Sequence, residues 1–195
     1  TEVDVALADP NATAAELRAM GEVVRDATIR SEQLVDGLLT LARTGAAPPA
    51  QQSVDLADLA TRVIDRLAPE ADRQELALVL SLDAAPVQGA SALLERLVEN
   101  LIQNASQYNE RGGWISVATQ TEGNHAVLRV ANSGPPVPPE VVASLFDRFR
   151  RLDGSADHRS RGFGLGLSIV DAVARAHAGT ATAEAQPDGG LLVTV

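Results

Sequence analysis

Arg161-Gly162-Phe163-Gly164-Leu165-Gly166-Leu167-Ser168-Ile169-Val170 is the stretch on which the fold of this chain turns. Three glycines at alternate positions lead into an apolar run that continues through Asp171, Ala172, Val173, Ala174 and Arg175, so a pliant loop closes onto a helix start. Glycine tolerates positive φ and lets a ligand approach the backbone closely, while unpaired first-turn N–H groups and the helix dipole favour an anion. A phosphate suits such a place. Alternate glycines also occur in plain turns and at helix-packing sites, so this motif alone leaves both readings open.

The rest of the composition narrows the choice. The 195 residues are 45% hydrophobic, enough for a sizeable core, and carry a formal net charge of −10, which argues against non-specific binding to nucleic acid or to an anionic membrane. No window of about eighteen uncharged apolar residues occurs, and Thr1-Glu2-Val3-Asp4 does not begin a signal peptide. There is no cysteine, hence no disulfide framework and no thiolate chemistry, which fits a cytoplasmic setting. Every basic side chain is arginine; without lysine, a Walker-type phosphate loop is excluded and any nucleotide site must be built differently.

Outward toward the N-terminus, Ala8-Asp9-Pro10-Asn11 supplies a turn after a short amphipathic stretch. Thr13-Ala14-Ala15-Glu16 then reads as a capping box, and Leu17, Met20, Val24, Ala27, Ser31, Leu34, Leu38 and Leu41 follow at spacings of three and four. Val23, Val35 and Leu39 widen this stripe to the breadth of a bundle helix. Such a helix either packs on its own domain or belongs to a dimerising hairpin. The polar, proline-bearing stretch 45–52 is the expected linker, separating a partial helical hairpin (1–44) from a second domain (53–195). In that domain Asp55 caps a helix, strands are expected at 76–82, 114–119, 126–131, 180–184 and 191–195, and helices at 91–108, 139–145 and from the glycine loop to His177. Gly123-Asn124 and Asp188-Gly189-Gly190 read as hairpin turns. This order predicts an α+β fold, a two-layer sandwich of a mixed, mostly antiparallel sheet and helices, preceded by a long bundle helix.

Chemistry concentrates in four blocks. On the helix at 91–108, Asn100 and Asn104 stand four residues apart at the border of the apolar face formed by Leu94, Leu97, Val98, Leu101 and Ala105, so both amides point the same way. A buried amide left without a partner costs about 1–3 kcal/mol, so the pair serves either a polar ligand or neighbouring loops. An amide oxygen is a suitable hard ligand for Mg²⁺ shared with nucleotide phosphates. Asn132-Ser133-Gly134 ends a strand with a polar residue and a glycine turn, a common site for a ligand-facing side chain. Phe146 and Phe149 flank Asp147 and Arg148, and the polar stretch 152–161 is suited either to a solvated loop or to a lid from which Arg159 and Arg161 reach phosphates.

Taken together and in this order, the four blocks resemble the catalytic ATP-binding domain of bacterial sensor histidine kinases, in the superfamily that includes gyrase-type and heat-shock-chaperone ATPases. Asn100-Leu101-Ile102-Gln103-Asn104-Ala105 is similar to that family's N box, Asn132-Ser133-Gly134 to its first glycine box, 146–149 to its F box and 162–166 to its second glycine box. The helix from Thr13 resembles the second helix of the dimerisation and histidine-phosphotransfer hairpin. The resemblance implies that Asn104 coordinates Mg²⁺, Asn100 helps position the phosphates and Asn132 faces the adenine. Tyr108, Gly134 and Leu165 join the nucleotide-contacting set, and Gly162, Gly164, Gly166 and Leu167 offer backbone N–H groups to the phosphates. The implied reaction moves the γ-phosphoryl group of ATP to a histidine and then to an aspartate of a response-regulator protein, by positioning and charge neutralisation.

The sequence departs from the family pattern in places. Asn132 stands where aspartate is usual, yet its oxygen can still accept from an adenine amino group; Pro136 replaces a glycine; and Gln107 replaces a common basic residue, leaving phosphate neutralisation to Arg159 or Arg161. None of His125, His158 and His177 has the acceptor context, which the resemblance puts upstream of Thr1. The chain therefore reads as the cytoplasmic catalytic part of a longer, membrane-anchored and homodimeric kinase, itself without membrane or nucleic-acid contact. An anti-sigma-type serine kinase and a degenerate dimerising scaffold are the competing readings; the long helix weighs against the first, and retention of Asn104 with the three glycines against the second.

Overall fold

The computed structural model describes residues 13–44, 52–150 and 164–195. Helix α1 (Ala14–Thr44) opens with the capping box as expected: the Thr13 N–H and hydroxyl each donate to Glu16 Oε2 at 2.8 Å, and the Glu16 N–H returns a bond to Thr13 Oγ1 at 3.3 Å. The helix touches the rest of the chain along a stripe that keeps Leu34 of the expected seam but is otherwise shifted from it. Leu34, Gly37 and Thr40 turn inward, whereas Leu17, Val23, Val24, Val35, Leu38 and Leu39 remain exposed.

After strand β1 (Gln52–Asp55), helix α2 (Leu56–Arg73) starts at Asp55, whose carboxylate accepts from the Ala57 N–H at 2.9 Å and, across thirty residues, from the Ala85 N–H at 2.9 Å. Strands β2 (Ala77–Leu82) and β3 (Pro86–Gly89), helix α3 (Ser91–Gln107) and the hairpin β4 (Trp114–Glu122) and β5 (His125–Asn132) follow. A short helix α4 (Pro139–Val142) tightens into a 3₁₀ turn (Ala143–Phe146), so the helix expected over 139–145 is split. Helix α5 (Gly166–Ala176) and the hairpin β6 (Thr182–Ala185) and β7 (Leu191–Thr194) complete the order.

Five strands form one sheet in the order β2-β4-β5-β7-β6, parallel between β2 and β4 and antiparallel elsewhere. The parallel pair is joined through α3, the crossover such a pairing requires. Period-two alternation sends Ile115, Val117, Thr119, Leu128, Val130, Leu191 and Val193 to one face, where they meet Leu59, Val63, Leu97, Val98, Leu101, Ile102, Val170 and Val173 from the helices. This is the two-layer α+β sandwich expected from the sequence.

Two features differ from that reading. Gln52, at the end of the expected linker, already pairs with Gly89, because β1 and β3 form a separate antiparallel two-stranded sheet held by the Asp55 clamp. The strand expected over 180–184 starts later, at Thr182, because α5 first ends through Ala178 at positive φ and the Gly179 N–H bonding back to the Ala174 carbonyl at 2.8 Å.

Candidate nucleotide site

The inward row of β5 runs Leu128, Val130, Asn132, so alternation delivers a polar residue to the helix-facing side just where the buried row ends. Asn132 is only 5% exposed. Its Nδ2 donates to the Ser133 carbonyl at 2.6 Å, which fixes the amide orientation and leaves Oδ1 as an acceptor with no hydrogen bond among the described residues. The amide thus presents the same acceptor that a carboxylate would present here. The substitution of asparagine for the more usual aspartate is met by this one bond.

Gly134 continues the turn at φ +153°, where a Cβ would lie 2.5 Å from the Tyr108 carbonyl oxygen, so the last turn of α3 lies directly against the strand end. Tyr108 caps α3, its N–H bonded to the Asn104 carbonyl at 3.0 Å. Two supports of this corner have no counterpart in the sequence reading. Ser133 Oγ donates to Asn109 Oδ1 at 2.7 Å and accepts from the Trp114 N–H at 2.7 Å, while Asn109 Nδ2 donates to the Trp114 carbonyl at 2.9 Å, tying α3, β4 and β5 together. In the β6–β7 turn, Gly190 has φ +86° and a Cβ there would overlap the Asn132 carbonyl oxygen, while its N–H donates to the Pro135 carbonyl at 3.1 Å. The sequence marks that turn only as a hairpin; its packing on a strand end far earlier in the chain has no local signature.

Along α3, Asn100 and Asn104 are both half-buried and lie on one side, as their spacing predicts. Asn100 Nδ2 donates to the Arg96 carbonyl at 2.7 Å, and its Oδ1 would be 3.4 Å from a Cβ on Gly166. Asn104's amide makes no hydrogen bond among the described residues, leaving its oxygen available. Facing them is the first turn of α5. Leu165 precedes it in helical backbone geometry without a side-chain cap, the Ile169 N–H takes the Leu165 carbonyl at 2.9 Å, and Leu165 and Leu167 are buried. The earlier N–H groups of that turn, including those of Gly166 and Leu167, thus have neither a cap nor a preceding helical carbonyl. Gly164 sits at φ +68°, its carbonyl accepting from the Phe149 N–H at 2.9 Å, and a Cβ there would overlap the Arg150 carbonyl.

Two phenylalanines that look alike in sequence part company here: Phe146 packs on the core, whereas Phe149, at φ +63°, is 60% exposed. Arg159, Arg161 and Gly162 lie outside the described residues, as does His158. His177 is engaged through both ring nitrogens, with Nδ1 2.8 Å from the Val173 carbonyl and Nε2 accepting from the Ala90 N–H at 3.1 Å. It is therefore a structural link between α5 and the start of α3.

Asn100, Asn104 and the first turn of α5 lie together, and Asn132, Gly134 and Tyr108 meet at the strand end, so the two ends of one face of α3 are rich in neutral acceptors and backbone donors. Among the described residues no group of three or more His, Cys, Asp or Glu side chains is arranged to hold a metal. A divalent cation fits here only as Mg²⁺ does with nucleotides, taking one protein oxygen and otherwise phosphates and water. Asn104 Oδ1 meets that requirement. Nor does any described helix have the length and apolarity to cross a membrane.

Known proteins share this fold. Residues 89–195 match the family model described as histidine kinase-, DNA gyrase B-, and HSP90-like ATPase. The chain is 44% identical over 196 residues to the sensor protein CutS of Streptomyces coelicolor, covering 100% of this chain and 47% of that protein, so it spans about half the length of the curated relatives it matches. A solved mycobacterial sensor histidine kinase, MprB, superposes with a TM-score of 0.64 at 27% identity, over 74% of this chain and 94% of that one. Histidine kinase ThkA in complex with response regulator protein TrrA superposes with a TM-score of 0.72 at 19% identity, over 95% of this chain and 51% of that one, a likeness of fold.

Proposed function

Because this chain belongs to the histidine kinase-, DNA gyrase B-, and HSP90-like ATPase family, we propose that it is the ATP-binding catalytic part of a two-component sensor histidine kinase. The observation that carries this reading is the fixed orientation of the Asn132 amide, at the end of the buried, helix-facing row, with its Oδ1 making no hydrogen bond among the described residues. An adenine amino group is the donor it suits. With the base at Asn132, Gly134 and Tyr108, the phosphates run along α3 past Asn104 and Asn100 to the open N–H groups of Gly166 and Leu167. Mg²⁺, held by Asn104 Oδ1 and the phosphates, supplies charge neutralisation when bound. Gly162, Arg159 and Arg161 complete the phosphate-binding set in this reading.

The chain's own part in the reaction is positioning. A histidine imidazole nitrogen from another segment of the full protein attacks the γ-phosphorus, ADP leaves, and the phosphoryl group then passes to an aspartate of a response regulator. Asn100, held by the Arg96 carbonyl and facing the side-chain-free Gly166, keeps the two phosphate-binding helices in register. The exposed Leu17, Val23, Val24, Val35, Leu38 and Leu39 of α1 support pairing with a second copy through a dimerising hairpin (1–44), joined by the segment 45–52 to the catalytic domain (53–195). A cytoplasmic place beneath a membrane-anchored sensor fits this assignment. The test is calorimetric titration of the chain with ATP with and without Mg²⁺: saturable binding strengthened by Mg²⁺ is expected, and absence of binding under both conditions refutes the assignment.

A further inference from the structure

Helix α3 carries three charged residues, Glu95, Arg96 and Glu99, and Arg96 is its only cation. Arg66 on α2 engages both acids, at 3.0 Å to Glu95 and 2.6 Å to Glu99. Arg96 is left with a long contact, 3.5 Å from Nη1 to Glu99 Oε2. Its Nε is buried and has no hydrogen bond, the one such side-chain nitrogen or oxygen among the described residues. Buried guanidinium N–H groups normally find acceptors, so an unmatched one a single turn before Asn100 calls for a missing anion.

The placement says which anion. Arg96 is one helical turn before Asn100, whose Oδ1 would meet a Cβ placed on Gly166 at the start of α5, and its own carbonyl receives the Asn100 amide. Counting from Tyr108 at the base-binding end, Asn104, Asn100 and Arg96 follow at steps of about 6 Å along the helix axis. Arg96 therefore stands beyond Asn100 at the end of the cleft farthest from Asn132, where the last phosphate of a nucleotide would emerge. Beyond Ile102 the helix has no charge at all, Gln107 included, so its positive charge is concentrated at that far end.

Resting on the reading of this cleft as an ATP site, we infer that Arg96 binds the γ-phosphate and so makes the site discriminate ATP from ADP. Glu99, already satisfied by Arg66, holds the guanidinium loosely enough for it to turn to the phosphate. A nucleotide lacking the third phosphate leaves Arg96 in its present contact.

The test is titration with ATP and with ADP, both with Mg²⁺, of the unaltered chain and of Arg96→Gln, Arg96→Met and Arg96→Lys, each checked by its thermal transition. Arg96→Met keeps the apolar stem packed and serves if Arg96→Gln does not fold. Loss of a charge-assisted bond predicts about tenfold or more weaker ATP binding for the Gln and Met variants, with ADP binding within about twofold and partial recovery in the Lys variant. A parallel loss for ATP and ADP would show a packing role and overturn the inference, as would unchanged ATP binding in both neutral variants. If the unaltered chain binds ADP and ATP equally well, the γ-phosphate assignment falls while the nucleotide site stands; if it binds neither, both fall.

Discussion

Gly190 offers a direct test of how the cleft is braced. Replacing it with alanine brings two separate penalties: a non-glycine residue at φ +86°, and a Cβ overlapping the Asn132 carbonyl oxygen, a backbone atom that cannot step aside. Left-handed backbone costs about 1–2 kcal/mol for a residue with a Cβ. Forcing the strand end away costs about 1–3 kcal/mol more, by analogy with an overpacked interior. Gly123 supplies the control, because it has φ +61° but a methyl group there would meet nothing within 4 Å, so Gly123→Ala carries the first penalty alone. For a chain of this length each kcal/mol moves the midpoint by roughly 2–4 °C. Gly123→Ala is therefore expected to melt roughly 3–6 °C lower and Gly190→Ala roughly 10 °C lower, measured by circular dichroism at one pH and protein concentration. Well below its transition, Gly190→Ala should also bind ATP more weakly, since the displaced carbonyl belongs to Asn132. Equal melting of the two variants would refute the idea that the β6–β7 turn buttresses the strand end.

Other outcomes follow from the same structure. Asn104→Ala should abolish the Mg²⁺-dependent part of ATP binding while leaving the melting transition in place; unchanged titrations would remove Asn104 as the metal contact. Asp55→Ala removes a helix cap and the bond to the Ala85 N–H together, an expected loss of about 2–3 kcal/mol in urea unfolding, and a loss below about 1 kcal/mol would count against the clamp. At the start of α1, bonds from the Thr13 backbone and then its hydroxyl hold the Glu16 carboxyl below its ordinary value of 4.5. A carboxylate with a depressed folded value stabilises the helix start above the unfolded value and loses that effect as pH falls through the folded one. Protection of the amides at 14–17, measured relative to the intrinsic exchange rate at each pH, should therefore fall as the pH drops below about 4.5 in the natural chain but not in Glu16→Gln; identical protection profiles would dismiss the capping box as a contributor.

Elements whose signal lies within a few residues are legible in the sequence: the Thr13 and Asp55 starts, the apolar face of α3, the strand alternation ending at Asn132 and both hairpin turns. Even the paired asparagines fall on the expected face, since 3.6 residues per turn leaves little freedom. What escapes a sequence reading depends on partners remote in the chain. β1 and β3 are four residues each, too short to show a period, and exist because the Asp55 carboxylate reaches Ala85. The Asn109–Ser133–Trp114 bonds and the Gly190 contact likewise join segments brought together only when the sheet forms. On α1 the pattern announces an apolar stripe correctly but not that Gly37 lies against Leu165 and Ile169, because a glycine is silent in a hydrophobic pattern.

Trp114 is the chain's single tryptophan, and both its N–H and its carbonyl are held in the network that joins α3 to the strand end, with the residue 37% exposed. The protein thereby carries a built-in optical probe. Its indole emission reports on one corner beside Asn132, so a spectral shift on adding nucleotide reads out that corner in unlabelled protein.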